Sequence, residues 1–102
     1  MKVVVTAEAE LDLERIGDFI ARDNPARAQT FVTELVECCL RLSDTPRAFP
    51  LVARYAHTGV RRRVFGSYLI FYRVDEEAGR IDVLHVLNGA REYEAILSTD
   101  AP

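Results

Sequence analysis

Three consecutive arginines, Arg61-Arg62-Arg63, are the densest run of reactive side chains in the sequence. A guanidinium is a planar fork of donors that grips phosphates and carboxylates in bidentate fashion, so arginines on a rigid element suit recognition of either group. These three fall where apolar residues alternate with period two. On a strand they must divide, with Arg61 and Arg63 on one face and Arg62 on the other. Arg73 shares the face of Arg62, and Arg91, just past Asn88-Gly89, can reach the same end of a sheet.

The remaining candidates for chemistry are sparse. His57 lies between turn residues and His85 between Val83 and Leu87, where a lone histidine is more often packed or hydrogen-bonded than catalytic. Cys38 and Cys39 are adjacent in a helical stretch, point about 100° apart, and so cannot share a tetrahedral metal site. They read as small core residues. Glu10 and Glu14 are four residues apart on an acidic helix flank, together with Glu8, Asp12 and Asp18, which reads as a solvated face. There is no glycine-rich phosphate loop and no G-x-S-x-G turn. No metal or cofactor is expected.

The charge distribution singles out the same region. The 102 residues carry a formal net charge of −3, with 49% hydrophobic and 28% charged residues. Residues 1–46 carry a net −4, residues 47–74 hold 6 arginines and no acid, and residues 75–102 carry a net −5. A basic block between two acidic ones favours an acidic partner for the middle of the chain, whereas the negative total disfavours general affinity for nucleic acid. Length and apolar content fit one globular domain spanning residues 1–102 and exclude a disordered chain. Two cysteines do not make a disulfide scaffold. No apolar run approaches the ~20 residues of a membrane span, and no targeting signal precedes Lys2–Val5, so a cytoplasmic location is expected.

The elements that must position these residues are legible in outline. Lys2–Val5 is a β-branched run that predicts a strand, followed by Thr6 as a helix N-cap. Ala9, Leu13, Ile16 and Ile20 then mark one stripe of a helix ending near Arg22. Asn24-Pro25 restarts a helix, Asn as cap and Pro at its first position, with a stripe from Ala28 through Phe31, Leu35 and Cys39 to Leu42. Residues 47–59 show no period and predict an irregular connection with room for one helical turn. Val60–Phe65 and Tyr68–Val74 predict strands joined by Gly66-Ser67, a two-residue hairpin turn that pairs Phe65 with Tyr68 and Val64 with Leu69. Arg80–Leu87 is the last strand, with Val83 and Leu87 expected on one face and Leu84 and Val86 on the other. Ala90–Leu97 predicts a short helix or a mobile tail. The order β-α-α-β-β-β predicts an α+β fold, an antiparallel sheet packed on an α-helical hairpin. Helices on one face only would leave Val64, Leu69 and Phe71 exposed among arginines, a patch of the kind that marks a protein interface.

Taken in order, Thr6–Leu13 with Ile16, Asp23-Asn24-Pro25 with Ala28 and Phe31-Val32, Gly59-Val60-Arg61, Tyr68–Val74 and Val83–Arg91 resemble the ParE branch of the RelE/ParE toxins of type II toxin–antitoxin systems. The resemblance runs from about residue 3 to residue 97 and implies the same β-α-α-β-β-β fold. RelE-like members are ribosome-dependent mRNA endonucleases that use clustered lysines and arginines with a C-terminal tyrosine. Here the position after the strand tyrosine is Leu69, the tail position is Leu97, and the only lysine is Lys2. Arg62 and Arg91 alone match basic positions.

The resemblance therefore implies a non-enzymatic, ParE-like toxin that traps the DNA gyrase cleavage complex, through the DNA-cleaving subunit of gyrase, and is neutralised by a ParD-like antitoxin. The alternatives are a RelE-like nuclease and a non-toxic interaction module. Arg61, Arg62, Arg63, Arg91 and Tyr93 are the expected target-binding residues. Val64, Leu69, Phe71, Arg62 and Arg73 are the expected antitoxin-binding residues. DNA binding is expected only within the antitoxin complex.

Overall fold

A computed structural model describes residues 1–90 and residue 97. Strand β1 (Lys2–Val5) leads into helix α1 (Ala7–Ala21), and helix α2 (Pro25–Leu40) follows after a three-residue link. Short 3-10 turns occupy Arg41–Ser43 and Ala53–Thr58, and strands β2 (Val60–Phe65), β3 (Tyr68–Asp75) and β4 (Arg80–Asn88) complete the order. Both helix starts form as their capping residues dictate. The Thr6 hydroxyl accepts from the Ala9 amide and donates to the Val83 carbonyl at 2.7 Å, so one side chain caps α1 and ties it to β4. The Asn24 carboxamide accepts from the Arg27 amide at 3.1 Å, with Pro25 opening α2.

The four strands lie in the order β1-β4-β3-β2. β2, β3 and β4 form an antiparallel meander, whereas β1 runs parallel to β4. That exception follows from the helical hairpin, which returns the chain to the sheet and leaves β1 beside the last strand instead of the next one. Gly66 adopts a φ of 57°, which a side chain would disfavour, and the turn sets Phe65 opposite Tyr68 and Val64 opposite Leu69, as expected.

The pairing of β3 with β4 departs from simple alternation. Phe71 pairs with His85 but Tyr72 pairs with Val83, so β4 carries an extra residue at this step, a β-bulge. The faces of β4 shift accordingly. Val83 and Val86 both join the core under the helices, while Leu84 and Leu87 lie on the opposite side. The expectation that Val83 and Leu87 share a face is corrected by this one-residue insertion.

The sheet has a core on each face. Beneath the helices, Ala9, Leu13, Ile16, Leu35, Cys39 and Leu42 pack on Ile70, Tyr72, Ile81, Val83 and Val86. Across the sheet, Val52, Val60, Leu69, Phe71, Leu87 and Leu97 form a second cluster, flanked by Tyr55 and Leu84. The irregular connection supplies its cover: Val52 donates to the Val60 carbonyl at 2.9 Å and Arg62 donates to the Pro50 carbonyl at 3.0 Å, which lays residues 50–52 along the start of β2. Of the predicted helix over residues 90–97, Ala90 lies in a turn and Leu97 is helical and buried, and residues 91–96 lie outside the described residues.

Candidate functional site

The three arginines of β2 divide as strand geometry requires, and their environments differ. Arg61 turns toward the helical side, where its guanidinium donates to the Phe49 carbonyl at 2.8 Å. Arg63, on the same side, donates to the Cys38 carbonyl at 3.3 Å, and its guanidinium carbon sits 4.7 Å from the centre of the Phe49 ring. Charge-assisted bonds to main-chain carbonyls and a cation–π contact make these two side chains braces between β2, the end of α2 and the connection. Arg62 lies on the other face, paired across the ladder with Phe71, and Arg73 follows on β3 opposite Val60 and Asp82. The basic block is further tempered by an ion pair between Arg47 and Glu76.

The apolar residues expected to be exposed on that face divide in the same way. Val64 is 61% exposed, near the hairpin tip of the edge strand β2. Leu69 and Phe71 are 9% and 0% exposed, under Val52 and Leu97. The expectation of an open Leu69–Phe71 patch is thus corrected: the chain covers it with its own connection and with Leu97. Burying each such side chain stabilises the fold by ~1.5–3 kcal/mol, enough to hold the connection against the sheet. Arg91 and Tyr93 lie outside the described residues.

Tyr72, on the helical face, donates its hydroxyl to the Pro46 carbonyl at 2.8 Å, and burial raises its ionisation above the usual phenol range. Burial likewise pushes the Cys39 thiol up to about 12 and raises Cys38. Both cysteines are free and buried, which suits packing and not nucleophilic chemistry. Among the described residues, no group of three or more His, Cys, Asp or Glu is placed to hold a metal ion, and no helix is long and apolar enough to cross a membrane.

One pair was not legible as a pair in the sequence. Asp12, which reads as part of the solvated acidic flank of α1, is 5% exposed and meets His85. Its Oδ2 lies 2.8 Å from His85 Nδ1 and accepts the Val86 amide at 3.0 Å. The available signal was spacing: Asp12 is three residues after Ala9 and four before Ile16, at the margin of the buried stripe. The carboxylate serves the bulge in β4, satisfying a main-chain donor there and fixing the imidazole.

With this geometry in place, comparison with known proteins decides the family. The model for the ParE toxin of the parDE type II toxin–antitoxin system matches residues 3–93. The chain belongs to the ParE toxin family. No curated protein matches it. Among solved structures, the chromosomal ParDE system of P. aeruginosa is similar with a TM-score of 0.68 and 22% identity, covering 86% of this chain and 95% of that one. The RelBE2 toxin–antitoxin complex of Mycobacterium tuberculosis is similar with a TM-score of 0.64 and 26% identity, over 85% of this chain and 95% of that one. A ParE-family member thus shares its RelE/ParE-like α+β fold with a protein from each kind of system, and both structural neighbours are parts of toxin–antitoxin pairs.

Proposed function

We propose that this ParE-family chain is a binding-type toxin that traps the DNA gyrase–DNA cleavage complex, through the DNA-cleaving subunit of gyrase, and is neutralised by a cognate ParD-like antitoxin. The observation that carries this reading is the meeting of Leu69 and Leu97 in one apolar cluster. These are the two positions at which a RelE-like nuclease is expected to carry a basic residue and a tyrosine. Phosphoryl transfer needs cations at the developing charge and a group that moves the proton. Here the corresponding space is filled by hydrocarbon, and Arg61 and Arg63 are committed to main-chain carbonyls on the far face. Arg62, Arg91 and Tyr93 are the residues proposed to contact the target.

The antitoxin reading draws on the kinship with toxin–antitoxin complexes and on the basic middle segment of an otherwise acidic chain. Val64, Arg62 and Arg73 are the surface residues through which an acidic antitoxin segment engages the second sheet face. Leu69 and Phe71 support that surface from below. The test is a supercoiling reaction with purified gyrase. Inhibition that is relieved by the antitoxin supports the proposal, and unimpaired supercoiling at saturating toxin contradicts it.

A further inference from the structure

Strand β1 has β4 on one side and, among the described residues, no strand on the other. The Lys2 and Thr6 amides donate to the Gly79 and Val83 carbonyls, so alternation turns the main chain of Lys2, Val4 and Thr6 toward β4 and that of Val3 and Val5 outward. The outward N–H and C=O groups of Val3 and Val5 find no main-chain partner among the described residues. An edge of this kind is a template for another strand. The opposite edge of the sheet is guarded: residues 50–52 cover the start of β2, and the rest of that strand carries Arg62 and Arg63.

β1 is self-complementary about Val4. In an antiparallel pair centred there, Val3 exchanges two hydrogen bonds with Val5 of a second copy, and Val5 exchanges two with its Val3, which satisfies every outward group on both strands. Val4 then faces its own counterpart as the close, non-hydrogen-bonded pair. Lys2, the only charge on the strand, falls at opposite ends of the pairing, about 13 Å apart. It lies opposite Thr6 of the second copy, where the acidic first turn of α1 begins with Glu8 and Glu10. Beside Lys2 in its own sheet, Arg80 is held by Asp75 and Asp82. Self-pairing of β2 about Arg63 would instead set arginine against arginine.

The strand also has an apolar flank. The end of α2 packs on β1, with Val36 against the same core as Val3 and Val5. Leu40, one turn on from Val36, is 49% exposed, and Met1 is 42% exposed. Arg41, next to Leu40, is paired with Glu37, so it brings no unbalanced charge to this flank.

We infer that the chain pairs with a second copy of itself through β1, joining two four-stranded sheets into one. The strand pairing sets the register, burial of Met1 and Leu40 adds affinity, and Lys2 against the acidic first turn of α1 fixes the antiparallel sense. The contact uses the same patch on both copies, so it closes at two and does not propagate. Such pairing goes beyond the gyrase reading and stands or falls without it.

The experiment is sedimentation of the purified full chain over a series of concentrations, which should show a reversible monomer–dimer equilibrium and nothing larger. Val3→Pro removes an outward N–H that β4 does not use, and by symmetry two bonds of the dimer, so it should weaken self-association at least ~10-fold. Circular dichroism checks that this variant is folded. A second variant does not depend on that outcome. Val4→Cys would face its own counterpart at a Cα separation of about 4.5 Å, within disulfide range, and should cross-link into dimers under mild oxidation. Val64→Cys, at a more exposed site on the other edge strand, should cross-link far more slowly, and the wild type not at all, since Cys38 and Cys39 are buried. A chain that is monomeric at every concentration overturns the inference. So does a dimer that a folded Val3→Pro variant leaves intact, or one in which Val4→Cys cross-links no faster than Val64→Cys.

Discussion

The carboxylate of Asp12 on α1 and the imidazole of His85 on β4, 73 residues apart in sequence, meet at 2.8 Å in the interior. The contact is local in purpose. A bulge in β4 displaces the ladder, and the carboxylate that receives the Val86 amide also receives the histidine, so one side chain locks helix and bulge together. Asp12→Ala should cost about 2–4 kcal/mol, because it leaves two buried donors without their acceptor. Urea unfolding of the variant against wild type measures this. A change below ~0.5 kcal/mol would show that the pair is dispensable.

Phe71 and Leu69 are structural where an exposed patch was expected. Phe71→Ala should destabilise the chain by about 3–5 kcal/mol, and Val64→Ala by less than ~0.5 kcal/mol, since only the first opens a cavity. Denaturant midpoints of the two variants make the comparison. Equal losses would contradict the assignment of Phe71 to a second core.

The arginines of β2 should separate by face. Arg61→Gln and Arg63→Gln remove charge-assisted bonds to the Phe49 and Cys38 carbonyls and should each lower stability by about 1–2 kcal/mol. Arg62→Gln should instead reduce toxicity in growing cells more than it shifts the melting temperature. Toxicity lost equally in all three, with unchanged melting, would mean that all three arginines act at the target.

The cysteines predict a pH dependence. Burial raises the Cys39 thiol to about 12 from an unfolded value of 9.0. Its folded pKa is raised, so its contribution is complete below pH 9.0 and is lost as the pH rises toward 12, when only the unfolded chain releases the proton. The slope approaches ~1.4 kcal/mol per pH unit for a single group. Cys39→Ala should flatten the decline of stability above pH 9.0, as followed by urea unfolding at successive pH values. An unchanged slope would place the alkaline sensitivity elsewhere, with Cys38 and Tyr72 the other groups shifted in the same sense.

What the sequence made legible was what short-range chemistry decides. Thr6 and Asn24-Pro25 set helix starts through bonds spanning three residues, and Gly66-Ser67 set the hairpin register. The bulge at Leu84 escaped, because nothing local in Val83–Leu87 distinguishes a strand with an extra residue from one without. Asp12 escaped for a related reason: its burial depends on a main-chain amide brought to it by β4. The cover over Leu69 and Phe71 comes from residues 50–58, which have no period, and from Leu97, so tertiary contact alone reveals it. For the same reason the arginine run is visible in the sequence as a cluster, but not as two braces and one side chain on the opposite face.

On the proposed function, this ParE-family chain acts by binding gyrase and not by cutting RNA. The most direct measurement incubates the purified chain with gyrase, supercoiled DNA and ATP, and in parallel with ribosomes programmed with mRNA. Gyrase-linked double-strand breaks that accumulate with toxin and disappear on adding the antitoxin, with intact mRNA in the parallel reaction, are the predicted result. Cleaved mRNA at the ribosomal decoding site, with no accumulation of broken DNA, would contradict it.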